Sequence, residues 1–196
     1  MADNDCREHI IAAAIPLFAA KGLNGVSVRE LARAAGVNLS MISYYFGGKE
    51  GLYAAVLAEQ FAILEKLEEI QLMEIDTLSK FEMYVRATVS RYRENPFLLR
   101  FYTSELTNPT VCFESIVKPA IKKVVQVLLD TFSDGLSHER FRQDLNPADT
   151  VLALAGMINF YFLLEPATAD LVDHSSERDE ELIRHIMDIF TRGVLK

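Results

Sequence analysis

A short stretch that begins after Gly36 groups side chains that could bind a nucleic acid. Amide and hydroxyl groups can hydrogen-bond to base edges or to phosphates. Lys49 follows a pair of glycines at the start of a predicted helix, where its charge adds to the backbone amides and to the positive end of the helix dipole. We therefore expect Lys49 to bind phosphate, and we expect five residues before it to face outward: Asn38, Ser40, Ser43, Tyr44 and Tyr45.

Two short predicted helices position these side chains. Ser27 and Glu30 can form a capping box, since the Ser27 hydroxyl can bond the Glu30 amide and the Glu30 side chain can reach back. Gly36 ends this helix, and Asn38 is a suitable N-cap for the next one, which stops at the glycine pair. The pattern predicts a helix-turn-helix, whose second helix presents its N-terminal half to the major groove. Its apolar inner face comprises Val37, Ile42 and Phe46.

Over Gly22–Tyr53 the chain resembles the tetracycline-repressor (TetR) family of bacterial transcriptional regulators, and the resemblance can be extended back to Ile10. It implies a homodimer in which each N-terminal unit binds one half of a palindromic operator. It also implies a C-terminal ligand that changes the spacing of the two units and releases the DNA. The matching motifs are Phe18-x-x-Lys21-Gly22, Ser27-x-x-Glu30-Leu31-Ala32, Ala35-Gly36-Val37 and Ile42-Ser43-Tyr44-Tyr45-Phe46-Gly47-Gly48-Lys49-Glu50-Gly51-Leu52-Tyr53.

The resemblance also assigns roles to single residues. It implies that Ser27 and Lys49 touch phosphate, and that Tyr44 and Tyr45 lie against the DNA backbone or base edges. The chain departs from the family pattern at Ser43, where a tyrosine is common. It also departs at the start of the second helix of the helix-turn-helix, where serine or a basic residue is common. That groove-facing start comprises Asn38, Leu39 and Ser40, of which Leu39 can read DNA only by apolar contact such as a thymine methyl.

Helical periodicity continues through the rest of the chain, and no alternating pattern persists long enough for a strand. The sequence predicts an all-α protein of about nine helices, with a three-helix DNA-binding domain over 1–53 and a larger helical bundle over 54–196. Pro119 predicts a break or kink, Ser133-Asp134-Gly135 a loop, and Ser176 a helix cap. The predicted helices cover about 5–21, 27–36, 38–46, 49–71, 77–94, 96–107, a region to 134, 146–165 and 176–194.

The C-terminal bundle is rich in aromatic residues. Aromatic side chains at helical spacing usually form a core, whereas the resemblance implies that some of them line a ligand pocket between helices. Such a pocket would suit an apolar or aromatic effector. Arg100 and Glu105 could orient a polar group of that effector or could form a surface ion pair. The candidate pocket residues are Phe101, Tyr102, Phe113, Phe132, Met157, Phe160 and Tyr161.

The run Val151–Leu164 is apolar on every side of a helix, so every side must be covered. We expect one face to pack on the domain and the other on a second subunit, in a four-helix interface that also uses the last helix. Gly156 would allow close approach there. The alternative is a single buried core helix. The candidate interface residues are Val151, Leu154, Ala155, Ile158, Phe162, Ile183, Ile186, Met187 and Phe190.

Composition narrows the class of protein. Half of the 196 residues are hydrophobic and 24% are charged, as in folded globular proteins. The net charge of −8 argues against a general polyanion binder, although residues 1–53 are neutral, with five basic and five acidic groups. No secretory pattern is present, the longest apolar run is shorter than a membrane span of about 20 residues, and two cysteines are too few for a disulfide scaffold. We expect a soluble cytoplasmic protein with reduced thiols and no membrane partner.

Catalytic motifs are absent from the sequence: it has no glycine-rich phosphate loop, no HExxH and no CxxC. We therefore predict no enzyme activity, no cofactor and no metal. Two other hypotheses stay open beside the regulator. Glu181 and His185 stand four residues apart and could hold a metal in an all-helical enzyme. The helix-turn-helix could also serve protein contact in an adaptor.

Overall fold

The computed structural model describes residues 2–62, 70–138 and 140–196. Within these ranges the regular structure is helical, apart from one isolated antiparallel bridge between Phe141 and Leu195, which confirms the all-α class. A π-helical turn (Phe113–Val117) and a 3-10 turn (Ser176–Arg178) supplement the α-helices. Nine α-helices have both ends in these ranges: α1 (Ala2–Lys21), α2 (Val28–Ala34), α3 (Leu39–Phe46), α4 (Lys49–Phe61), α5 (Thr77–Glu94), α6 (Leu98–Thr107), α7 (Lys118–Ser137), α8 (Pro147–Thr168) and α9 (Asp179–Val194).

The helices form two packing units. Unit 1 comprises Met1–Ile63 and Arg100–Ala120, and unit 2 comprises Leu64–Leu99 and Ile121–Lys196. The predicted domain boundary after Tyr53 falls inside α4, so it does not coincide with this division. The predicted continuation of the fourth helix to about Gln71 crosses residues 63–69, which lie outside the described residues.

In unit 1, α2 packs against α1 and α3, and α4 packs against α1, α3 and the π-helical turn. The Ser27 side chain accepts a hydrogen bond from the Glu30 amide, and the Glu30 carboxylate accepts one from the Ser27 amide, so the predicted capping box is present. Gly36 and Gly47 adopt φ of +62° and +71°, a left-handed conformation in which a side chain is strained. These two glycines set the turns on either side of α3.

In unit 2, α9 packs against α5 and α8, and α5 also packs against α8. An aromatic cluster fills the core of this unit: Phe81, Phe132, Phe141 and Phe190 are all buried, and the centroids of the Phe81 and Phe190 rings are 4.9 Å apart. The half-buried Arg93 of α5 joins the three helices, because it pairs with Asp179 at 2.8 Å and lies over the Phe162 ring at 4.8 Å.

The loop predicted at Ser133-Asp134-Gly135 is wrong, because α7 continues through it to Ser137. A Cβ atom at Gly135 would collide with the ring of Phe141, so this glycine serves a close approach inside a helix. The break or kink predicted at Pro119 coincides with a change of helix type: the π-helical turn ends at Val117 and α7 begins at Lys118, so Pro119 lies in the first turn of α7, where a missing amide proton costs little.

Two predicted helix starts need correction as well. Ser176 does not cap the last helix, because residues Ser176–Arg178 form a 3-10 turn before α9. The sixth helix begins at Leu98 rather than at Pro96, and the Asn95 side chain accepts a hydrogen bond from the Phe97 amide.

By length and composition alone, α8 could also cross a membrane. One such helix is equally typical of a protein core, and here one face of α8 packs into unit 2. The buried residues of that face are Val151, Leu154, Ile158 and Phe162.

Candidate nucleic-acid interface

The outer face of α3 carries the polar side chains that the sequence groups together. Ile42 is fully buried and holds the helix to unit 1, whereas Tyr44 is 75% exposed and Leu39 is 45% exposed. Asn38 occupies the N-cap position, but its side chain makes no capping hydrogen bond. The exposed residues are Asn38, Leu39, Ser40, Ser43 and Tyr44.

Tyr45 and Phe46 are only half-buried. The Tyr45 ring meets that of Tyr44 edge-on, with centroids 5.0 Å apart, so the two phenols form one aromatic element on α3. The Phe46 ring is covered by the guanidinium of Arg7, whose carbon lies 5.4 Å from the ring centroid. Phe46 is therefore less enclosed than a core residue, and a basic side chain of α1 stands beside the end of α3.

Lys49 is the first residue of α4, and its Nζ donates a hydrogen bond to the carbonyl oxygen of Val26 at 3.1 Å. This bond draws the ammonium group to the loop just before α2, so that Lys49 lies close to the N-terminal ends of two helices. An ammonium has three protons, and only one of them is used here. The arrangement concentrates positive potential where a phosphate could bind.

Ser27 is exposed, but its hydroxyl is engaged inside the capping box, since it donates to Glu30 Oε2 at 2.8 Å. The Glu30 carboxylate also pairs with Lys21 at 2.8 Å. The Lys21 partner and the two hydrogen bonds from Ser27 lower the pKa of Glu30 to about 2. The negative charge at the start of α2 is thus fixed and paired with Lys21.

The core beneath this face contains contacts that sequence reasoning missed. The Tyr53 ring of α4 meets the Phe18 ring edge-on at 4.9 Å and lies 6.2 Å from that of Phe101. His9 of α1 contacts the carbonyl oxygen of Ala35 at 3.1 Å, which fixes the turn between α2 and α3. Contacts of this kind join residues far apart in sequence, and no local pattern announces them.

Glu105 is fully buried in unit 1, so of the two alternatives for Arg100 and Glu105 the surface ion pair is wrong. The Tyr53 hydroxyl donates to Glu105 Oε1 at 2.7 Å. Burial, followed by the hydrogen bond to Glu105, raises the pKa of Tyr53 well above its usual range. The amide and the hydroxyl of Thr110 donate to Glu105 Oε2 at 3.2 and 3.1 Å.

The seven candidate ligand-pocket residues fall into both units. In unit 1, Phe101 is buried, and Tyr102 and Phe113 are half-buried. In unit 2, Phe132 is buried in the aromatic cluster, whereas Phe160 is 58% exposed on α8, and Met157 and Tyr161 are half-buried. None of the seven lines the cavity described next.

Unit 2 contains a small cavity that the sequence analysis did not predict. Its walls are mostly apolar, with an ammonium, a phenol and a hydroxyl among them. The lining residues are Ile70, Lys80, Phe81, Tyr84, Val124, Val127, Leu128 and Thr131. Their spacing along α5 and α7 is that of any buried helix face, so nothing in the sequence distinguishes them from core residues.

Most of the candidate dimer residues lie inside the protomer. Val151, Leu154, Ile158, Phe162, Ile183, Ile186 and Phe190 are buried, and Ala155 and Met187 are half-buried. A different set of residues on α8 is exposed, at spacings of four, four and three along the helix. We call it the α8 stripe: Leu152, Gly156, Phe160 and Leu163.

Glu181 pairs with Arg178 at 3.0 Å, and this hydrogen bond and charge lower the pKa of the Glu181 carboxyl. In the part of the chain that the structure describes, no group of three or more His, Cys, Asp or Glu side chains is placed to hold a metal ion. The partner of Glu181 is thus an arginine at the end of the 3-10 turn that precedes α9.

The chain is similar in sequence to known bacterial transcriptional regulators. Residues 10–56 match the model of the family described as bacterial regulatory proteins of the tetR family. The chain is 34% identical over 120 residues to the probable HTH-type transcriptional regulator YttP of Bacillus subtilis, which covers 60% of this chain and 58% of that protein. The chain thus spans less than two thirds of this relative. It is 26% identical over 196 residues to the HTH-type transcriptional repressor NicS of Pseudomonas putida, which covers 96% and 92% of the two chains.

A solved structure with the same fold is that of the transcriptional regulator FadR from Bacillus subtilis in complex with stearoyl-CoA. Its TM-score is 0.76 at 18% identity, and the match covers 95% of this chain and 98% of that one. At this identity the likeness shows the fold alone, over 95% of this chain.

Proposed function

Because the chain belongs to the TetR family of transcriptional regulators, we propose that it is a dimeric repressor that binds a palindromic operator and responds to a small-molecule effector. The observation that carries this proposal is the exposed polar face of α3, held to unit 1 by the buried Ile42. Operator DNA lies in the cytoplasm, where we expect the protein to act.

We infer the DNA contacts from the chemistry of the side chains on that face. Asn38, Ser40 and Ser43 supply an amide and hydroxyls for base edges and phosphates, and Leu39 supplies an apolar contact. Tyr44 presents its ring at the surface, with Tyr45 edge-on behind it. Lys49 would bind a phosphate with the ammonium protons that Val26 leaves unused. Ser27 would contribute through its position at the start of α2, because its hydroxyl proton is already donated to Glu30.

Dimerisation would use the α8 stripe rather than the buried residues beside it. Three large apolar side chains are exposed around Gly156, and a Cβ atom at Gly156 would meet nothing within 4 Å in the protomer. A partner helix could therefore approach closely at this point. Twofold symmetry would bring the stripe against its own copy, and Ile189 of α9, 62% exposed, would extend the apolar surface.

The effector would bind in unit 2. The apolar walls of its cavity favour an apolar molecule; the cavity has room for about one water molecule in this structure, so an effector would have to open it by moving α5 and α7 apart. The fold relative FadR holds stearoyl-CoA, a ligand with a long apolar chain, which supports the same ligand chemistry for this chain. Effector binding would favour a dimer geometry that cannot span two adjacent major grooves, about 34 Å apart.

Selection of random DNA duplexes on the purified protein, at about 0.15 M salt, tests the proposal. We expect enrichment of a palindrome whose half-sites are about one helical turn apart. Salt-insensitive capture of a protein partner, with no enriched duplex, would favour an adaptor instead. Bound metal that is lost in His185→Ala would favour the enzyme hypothesis.

A further inference from the structure

A buried carboxylate in unit 1 is held by hydrogen bonds from two separate parts of the chain. Glu105 has no exposed surface, and Tyr53, its partner on α4, is 1% exposed. Tyr53 donates to one carboxylate oxygen at 2.7 Å, and Thr110 donates twice to the other. Thr110 in turn accepts from the Cys112 amide at 3.2 Å, so the segment that follows α6 is fixed around the same carboxylate.

This carboxylate lacks a cationic partner. Among the described residues, the side-chain partners of Glu105 are Tyr53 and Thr110, and neither carries a positive charge. Its contacts therefore come from neutral donors, two hydroxyls and one amide. A buried polar group that loses a hydrogen-bond partner pays its desolvation cost, so this site favours one arrangement over partly bonded ones. The raised pKa of Tyr53 keeps the phenol protonated and able to donate.

The bond also joins stretches that are distant in sequence. Tyr53 lies one turn beyond the start of α4, the helix that packs against α3. Glu105 lies on α6, in the stretch Arg100–Ala120 that belongs to unit 1 although residues Leu64–Leu99 between them belong to unit 2. The chain thus leaves unit 1, returns to it, and on its return supplies the acceptor for a hydroxyl on α4, the helix that packs against α3.

We propose that the hydrogen bond between Tyr53 and Glu105 is a positioning latch, through which the segment Arg100–Ala120 sets operator affinity without touching DNA. The inference rests on the proposed function, because it concerns how the same DNA-binding face is held. With the latch closed, α4 keeps the place that aligns α3 with its groove. With the latch open, α3 keeps its side chains but loses that alignment, and operator affinity falls.

The test compares two tyrosine hydroxyls of similar chemistry. Tyr53→Phe removes the donor to Glu105, and Tyr92→Phe removes a matched donor in unit 2, which reaches Asn159 Oδ1 at 2.6 Å. The full-length variants are compared for operator affinity, with the palindrome from the duplex selection as probe and the folded fraction checked by circular dichroism. We expect Tyr53→Phe to weaken operator binding about tenfold, within the usual range of coupling between sites, and Tyr92→Phe to leave it unchanged.

The salt dependence separates positioning from direct contact. Tyr53 is buried, so its loss should leave the slope of log affinity against log salt unchanged, whereas a lost phosphate contact lowers that slope. Glu105→Gln and the double variant complete a cycle, in which the two losses of operator affinity should be less than additive. If Tyr53→Phe does not fold, Glu105→Gln against Tyr92→Phe gives the same comparison.

Equal losses for Tyr53→Phe and Tyr92→Phe, fully additive losses in the cycle, or an altered salt slope would each overturn the latch. A wild-type protein that selects no operator contradicts the proposed function itself. The two failures are therefore distinguishable.

Discussion

Helix α3 in unit 1 and helix α8 in unit 2 each bury one apolar face, but their exposed faces differ in polarity. Each buries one apolar face: Ile42 on α3 is fully buried, and so is Leu154 on α8. The face that remains on α3 carries an amide, hydroxyls and phenols, whereas the α8 stripe is apolar. A polar face is hydrated when it is exposed to water. Covering an exposed apolar stripe removes apolar surface from water, which stabilises the complex that covers it. The difference supports the two proposals above, that α3 binds a hydrated, charged partner and that the α8 stripe packs against a second apolar surface.

The largest effect should come from placing a charge in the α8 stripe. In the proposed twofold interface, Leu163→Asp would bury an unpaired carboxylate, which costs about 3–5 kcal/mol. We expect the dimer dissociation constant to rise by about two to four orders of magnitude, as measured by sedimentation equilibrium.

Leu171→Asp is the matched control, because Leu171 is also apolar and 80% exposed but lies beyond the end of α8. It should leave the dimer intact. Dimers that survive Leu163→Asp but not Leu171→Asp would place the interface elsewhere in unit 2.

Gly135→Ala tests the packed side of unit 2 in the same way. Alanine normally stabilises a helix by about 1 kcal/mol relative to glycine, but the added methyl group would meet the Phe141 ring. We expect a net loss of about 1–3 kcal/mol in the free energy of unfolding, from overpacking. Urea denaturation at one protein concentration measures it, since dimerisation makes stability depend on concentration.

Gly193→Ala is the control for this substitution. Gly193 lies in α9, and a Cβ atom there would meet nothing within 4 Å. It should be neutral or stabilising by up to about 1 kcal/mol. The same sign of change in both variants would refute the close approach of Phe141 to α7.

The helix-turn-helix could be predicted from the sequence because its signals are local. The capping box at Ser27, the glycines that flank α3 and the buried position of Ile42 each depend on residues within a few positions. These signals predicted the bounds of α2 and α3 closely.

The two faces of α8 could not be predicted in this way. A helix that is apolar all round contains no pattern that separates the side facing the core from the side left exposed. The interface predicted from the sequence therefore included Val151, Leu154 and Ile158, which are buried in the protomer. It did not include Leu152 and Leu163, which are exposed. The role of Glu105 could not be predicted for a similar reason, since its hydrogen-bond partner Tyr53 lies 52 residues earlier in the chain.

Lys49→Ala tests whether the exposed face of unit 1 binds phosphate. If Lys49 neutralises one phosphate, its loss should weaken binding to all DNA sequences and lower the salt slope by about one unit. Lys122→Ala in unit 2 removes the same charge from an exposed position on α7 and should leave the slope unchanged. Operator affinity measured from low to high salt checks both. Equal slopes for the wild type and Lys49→Ala would show that Lys49 serves Val26 and not phosphate.

The smallest effect concerns the acidic end of the pH range and the start of α2. The pKa of Glu30 falls from 4.5 to about 2 in the folded protein, through Lys21 and Ser27. A depressed folded-state pKa contributes stability above the unfolded-state value, and that contribution is lost as the pH falls from about 4.5 towards 2.

Glu30→Gln keeps an oxygen acceptor for the Ser27 amide but loses the charge, so it should be less stable than the wild type near neutral pH. The gap between their unfolding free energies should narrow as the pH falls through this window, measured by urea denaturation at each pH. A gap that does not change with pH would mean that Lys21 and Ser27 do not favour the ionised carboxylate. Asp76→Asn gives the counterpart in unit 2, since Asp76 caps α5 and a hydrogen bond from Ser79 lowers its pKa as well.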